Sequence, residues 1–156
     1  MNWDALGAIG EIIGAVAVVL SLLYVARQVR DGSKQIRLNT TSNLMALTQD
    51  SFAPIYLSQA NQDIWHSGLD SPEVLNASQF RQFVTYMDRA FYAYQLLVTQ
   101  FEAGVIEDDV FNMQGAYFEY LYKTPGGQKW WPESKMDLSQ RVRFHLGVDN
   151  DALPAR

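Results

Sequence analysis

Hydrophobic and polar positions follow two regimes along this chain. From Ala5 to Ala26 the sequence reads ALGAIGEIIGAVAVVLSLLYVA, with one charge, Glu11. As a helix rising about 1.5 Å per residue, this run spans roughly 33 Å, enough for a bilayer core of about 30 Å. A buried helix of a soluble domain is the competing reading. A helix apolar on all sides needs more protein around it than the remaining residues supply. A cleaved signal peptide fits poorly. Its leading region should be basic, whereas Asp4 is the one charge before the run, and cleavage after Ala26 would place Tyr24 where a small residue belongs. The pattern predicts an uncleaved transmembrane anchor over residues 1–30.

The flanks predict its orientation. Arg27, Arg30, Lys34 and Arg37 follow the run, opposed by Asp31. Lys and Arg stay on the cytoplasmic side, so the N-terminus is expected outside and the following domain in the cytoplasm. Trp3 and Tyr24 lie near the two ends, where amphipathic rings favour the interface. The basic residues enforce topology before anything else; anionic headgroups would attract them by about 1 kcal/mol each.

The run is also sorted around its axis. At about 100° per residue, Gly7, Gly10, Glu11, Gly14, Val18, Ser21, Val25 and Gln28 fall within an arc of roughly 100°. Ile9, Ile12, Ile13, Val16, Leu20 and Leu23 take the opposite side. Small residues let membrane helices approach closely, and polar ones bond across the contact. Gly7, Gly10, Glu11, Gly14, Val18 and Ser21 are therefore the expected helix-packing face. Glu11 has three readings: at the outer interface if the span slides toward Val29, inside a helix–helix contact, or on a proton or ion pathway. The last needs further copies or a partner, since the run holds no second charge.

Beyond the run the pattern becomes amphipathic. Residues 31–43 are polar, lack Pro and predict a juxtamembrane helix or linker. Leu44, Leu47, Phe52, Ile55 and Tyr56 have helical spacing up to about Asn61, with Pro54 expected to kink or end the helix. Residues 64–69 predict a short helical turn. Asn76 or Ser78 caps a long helix to Ala103, with Phe80, Phe83/Val84, Met87, Ala90/Phe91, Tyr94, Leu97/Val98 and Phe101 repeating at 3–4 spacing and Gly104 as its stop. Its four charges predict a central element. A further helix spans 108–123, a turn spans 128–132, and a last helix spans 138–146. The expected fold is all-α: an N-terminal transmembrane helix, then a small cytoplasmic helical bundle over 44–148 and a tail over 149–156.

Composition narrows the function. The 156 residues include 12 Lys+Arg, 17 Asp+Glu, 2 His and no Cys, a net charge of −5. The acidic excess falls beyond residue 38, which argues against nucleic acid as a partner. The absence of Cys removes disulfides, zinc–thiolate sites and cysteine nucleophiles. Glu107-Asp108-Asp109 suggests a metal, but acidic residues in a first helical turn complement the helix dipole. Gly126-Gly127 lacks phosphate-loop spacing. The adjacent Trp130 and Trp131 predict a hydrophobic plug.

His145 reads as structural. His66 beside Trp65, with Tyr94 and Tyr117 of the two main helices, forms a candidate ligand pocket; a partly exposed turn histidine and core tyrosines with hydroxyls at the rim are the alternatives. No catalytic set, metal site or cofactor motif emerges, and a non-enzymatic role is expected.

The opening GAIGEIIGA…SLLYVARQVR and the segment Pro125-Gly126-Gly127-Gln128-Lys129-Trp130-Trp131 (PGGxxWW) resemble the two ends of a family of uncharacterised bacterial single-span inner-membrane proteins. The resemblance implies bacterial origin, an inner-membrane anchor and a helical domain, and it brings no catalytic residues. Membrane lipid, other copies of the chain and other membrane proteins are the expected partners.

Overall fold

A computed structural model describes residues 3–134 and 136–148, with side chains from Glu11 onward. The surroundings of Gly7 and Gly10 and the tail over 149–156 lie outside the described residues. Six α-helices and one 3-10 turn, with no strand, make up the described fold. The chain divides into two compact units, 1–39 and 40–156.

Helix α1 (Trp3–Tyr56) runs through both units. In the first unit, all side chains from Glu11 to Asp31 are exposed. In the second unit, Phe52 and Ile55 of α1 enter the core, next to buried Thr48 and Ser51. The two hydroxyls turn back into α1: Thr48 Oγ1 donates to the Leu44 carbonyl at 2.9 Å and Ser51 Oγ to the Thr48 carbonyl at 2.6 Å. A buried hydroxyl is tolerated when bonded in this way.

Pro54 stands in the last turn of α1, and the helix stops at Tyr56. Ser58 then starts α2 (Gln59–Asp70), its hydroxyl accepting the Asn61 N–H at 3.2 Å. The helix ends two residues after Pro54, as expected of a proline that kinks or stops it, and the expected short turn over 64–69 belongs to a full 12-residue helix. Proline removes a backbone donor, and Ser58 supplies a new cap four residues later. Asn61 Nδ2 closes the corner by donating to the Pro54 carbonyl at 2.8 Å.

After a 3-10 turn (Pro72–Val74) comes α3 (Ala77–Glu102). Asn76 Oδ1 accepts the N–H groups of Ser78 and Gln79, and Gln79 Oε1 accepts the Asn76 N–H, all at 3.0 Å, a reciprocal capping box. Gly104 closes the other end at φ 70°, where a side chain would be strained. Helix α3 is central, packing against α2, α4, α5 and α6. Its Phe83, Met87, Ala90 and Phe91 have no exposed surface.

Helix α4 (Asp108–Lys123) begins with Asp108 and Asp109 in its first turn and buries Phe111, Phe118 and Leu121. Helix α5 (Pro125–Glu133) follows at once. Thr124 Oγ1 donates to the Leu121 carbonyl at 2.7 Å and accepts the Gly127 N–H at 3.0 Å, joining the end of one helix to the start of the next. Helix α6 (Gln140–His145) is capped by Ser139 and closes the core with Val142 and Leu146.

Candidate functional site

Three regions bear on function: the exposed α1 segment, the PGGxxWW corner, and the clefts beside the C-terminal part of α1.

The exposed segment holds Ile12, Ile13, Val16, Val18, Val19, Leu20, Leu22 and Leu23, each more than half exposed. On a protein surface, a contiguous apolar patch of this extent generally marks an interaction site. By length and composition, α1 can cross a membrane. Helical backbone covers the whole stripe from Gly7 to Gln28, so these positions share one face. A Cβ added at Gly14 meets no atom within 4 Å. Glu11 and Val18 are exposed, and the Ser21 hydroxyl donates to the Ala17 carbonyl at 2.8 Å. That bond satisfies the Ser21 donor within the helix and leaves its lone pairs outward.

The PGGxxWW corner is a packing device. Trp130 is fully buried and stacks on Phe91 with centroids 4.5 Å apart. Its Nε1 donates to Asp88 Oδ1 at 2.8 Å, and Ser134 Oγ donates to the same oxygen at 2.6 Å. Trp131 meets Tyr122 edge-on at 5.9 Å. Both glycines are needed for space. A Cβ on Gly126 would stand 1.9 Å from the Gly68 carbonyl oxygen, and one on Gly127 would stand 2.2 Å from the Leu121 carbonyl oxygen.

The expected pocket between α3 and α4 does not form from its four residues. Tyr94 is 1% exposed and stacks on Phe118 at 4.5 Å. Burial, then the negative charge of Glu119, push its phenol above the ordinary tyrosine range. Trp65 is 6% exposed, sandwiched between Phe52 and Phe83 at 5.8 Å each. His66, its neighbour on α2, is exposed. Tyr117, 42% exposed, lines a cavity. Helical periodicity places aromatic residues on the core side without separating Tyr94, which fills space, from Tyr117 at the edge.

The cavity reached by Tyr117 is a groove of about 510 Å³ between the C-terminal part of α1 and α4. Met45, Thr48, Gln49, Phe52 and Tyr56 form one wall, and Met113, Gln114 and Tyr117 the other. No wall residue carries a formal charge. Burial, then the neighbouring Tyr56 and Tyr120, raise the Tyr117 phenol above its usual range. Sequence reasoning missed the α1 wall and Met113. The signal lay in the 45/48/49/52/56 spacing, which continues the amphipathic pattern. A smaller cleft of about 300 Å³ lies on the α3 side of α1, with Asp50, Ser51, Asp88, Arg89 and Tyr92 at its walls.

His145 is placed structurally. Its Nε2 lies 3.1 Å from Glu102 Oε1, Arg141 bonds the other Glu102 oxygen, and its ring meets Phe111 edge-on at 4.9 Å. Among the described residues, no group of three or more His, Asp or Glu is disposed to hold a metal ion.

The fold and these regions define an all-helical bundle with one N-terminal helix long and apolar enough to span a membrane. No family model, curated protein or solved structure matches the chain.

Proposed function

We propose that this is a non-enzymatic single-pass membrane protein, with its N-terminus outside and its helical domain in the cytoplasm of a bacterium. It assembles through the Gly7, Gly10, Glu11, Gly14, Val18 and Ser21 face of α1, as a homo-oligomer or as an accessory subunit of a larger membrane complex. The observation that carries this reading is the exposed apolar segment of α1 with its glycines, Glu11 and Ser21 confined to one side. Lipid covers the Ile/Leu side, and helix–helix packing covers the other. The basic residues after the segment support the orientation, and the two end motifs support the bacterial inner membrane.

The test is the mass and polypeptide content of the complex purified from native membranes in mild detergent. A small multiple of 17.7 kDa with one polypeptide means a homo-oligomer; other polypeptides in fixed ratio mean an accessory subunit. Replacing Gly10 and Gly14 together with Leu reduces the complex to single chains. An unchanged complex mass in that variant refutes assembly through this face.

The α1–α4 groove favours a second reading, a membrane-tethered ligand-binding or sensor module. Its volume lies within the range of small-molecule sites, and its uncharged walls suit a neutral amphiphile. Thermal-shift screening of the full chain in detergent, repeated with Tyr117→Ala, tests it. The absence of any stabilising lipid or metabolite counts against it.

A further inference from the structure

We propose that Arg27, Arg30, Lys34 and Arg37 form a one-sided cationic ladder that binds the phosphate headgroups of anionic lipids. The proposal rests on the membrane reading above and adds a lipid class and a binding face to it.

The backbone of α1 is unbroken helix through all four positions. Their steps of three, four and three residues place them within an arc of about 80°. All four are exposed. Asp31 is the one acidic residue between Glu11 and Asp50, and it sits about 40° beyond the edge of this arc, next to Arg27. The ladder starts at the residue after the apolar run and climbs roughly 15 Å to Arg37 at 1.5 Å per residue.

Two features bring these charges to headgroup level. Side chains on an α-helix lean toward its N-terminus, here back toward the apolar run. Long Arg and Lys stems then carry the charge further the same way. The headgroup layer adds about 5–8 Å beyond the hydrocarbon on each side, and charges within about 10 Å still act through physiological salt. The upper rungs therefore contribute, not Arg27 alone.

The face matters as much as the charge. Gly14, Val18, Ser21, Val25, Gln28 and Gly32 continue the packing stripe about 170° around the helix from the ladder's centre. Packing through that stripe leaves the ladder toward lipid. Bound anionic lipid and helix assembly then coexist, and neither displaces the other. Charges needed for orientation alone have no reason to share a face, because the cytoplasmic bias counts residues and not their angle.

The experiment uses the full chain in phosphatidylcholine vesicles doped with spin-labelled lipid. Wild type enriches spin-labelled phosphatidylglycerol over phosphatidylcholine at its surface about five-fold, the effect of one well-placed cationic contact, and rising salt lowers the ratio. Replacing all four residues with Gln brings the ratio to about one, the value for no contact.

A second variant moves charge without changing its amount: Arg30→Gln with Gln35→Arg. The receiving position lies roughly 120° from the ladder's centre and outside the packing stripe, so the ratio falls. No enrichment by wild type, or full enrichment by the redistributed variant, overturns the ladder. Flotation on pure phosphatidylcholine vesicles keeps the two readings apart. Wild type and the four-Gln variant both float if the apolar segment anchors the chain. If neither floats, the membrane reading fails and the ladder fails with it.

Discussion

Gly126 approaches Gly68 so closely that a single added methyl group would collide with the Gly68 carbonyl oxygen at 1.9 Å. The contact joins α5 to α2 backbone to backbone. A flexible side chain could move aside; a carbonyl held in helix α2 cannot move without moving the helix. Gly126→Ala is therefore expected to destabilise the bundle by about 3 kcal/mol or more. In thermal unfolding followed by near-ultraviolet circular dichroism, the midpoint falls by roughly 10–20 °C. A midpoint within a few degrees of wild type contradicts the close approach.

Asp88 gathers two donors, Trp130 Nε1 and Ser134 Oγ, on one carboxylate oxygen. Asp88→Ala leaves the buried indole N–H without its acceptor, at a cost of about 2–4 kcal/mol. Asp88→Asn keeps an acceptor and loses about half as much. Urea denaturation of both variants measures the difference. Equal losses would show that charge, and not hydrogen bonding, holds the corner.

The buried phenol of Tyr94 sets an alkaline limit. Its folded-state pKa is raised above the unfolded value of about 10. The stability linked to that shift is complete below pH about 10 and declines as pH rises toward the folded value, because the unfolded chain ionises first. Urea midpoints should start to fall at about pH 10 and keep falling as the pH is raised further. Tyr94→Phe flattens the fall in part; Tyr117, shifted the same way, keeps a remainder. An identical slope in Tyr94→Phe would remove Tyr94 from this account.

Glu102 receives Arg141 and His145 from α6, with 11% of its side chain exposed. Glu102→Gln weakens both contacts and leaves two cationic-capable groups facing a neutral amide. A loss of about 1–3 kcal/mol is expected, concentrated in α6. Hydrogen exchange tests it: amides of Val142 and Leu146 lose protection while those of Phe83 and Met87 keep theirs. Uniform loss across α3 and α6 contradicts a local clamp.

Much of the fold was legible because local signals agreed. Asn76, the 3–4 aromatic spacing and Gly104 each marked the same helix, and α3 has those bounds. Asp108 and Asp109 lie in the first turn of α4, as the dipole argument expects. The α1–α2 corner was half legible. Pro54 marked the end of α1, but the restart of the helix is signalled by one Ser58 hydroxyl after an exposed Leu57, inside a stretch whose apolar spacing continues across the break. The site was read less well than the fold. Tyr94 and Tyr117 share a helical rhythm with the core, and only tertiary packing decides that Phe111 and Phe118 enclose Tyr94 while Tyr117 stays at an edge. The groove wall from Met45 to Tyr56 pairs residues far from α4 in sequence, a relation that periodicity does not encode.

The order of elements along the chain sets an order of events during synthesis. The apolar part of α1 ends near Ala26, while the bundle core needs Phe52 and Ile55 early in the chain and Val142 and Leu146 near its end. At about 5–20 residues per second, a ribosome takes on the order of ten seconds to cover the interval. The exposed segment thus leaves the ribosome well before its own domain can close, and its destination is chosen by a nascent chain that has not yet folded.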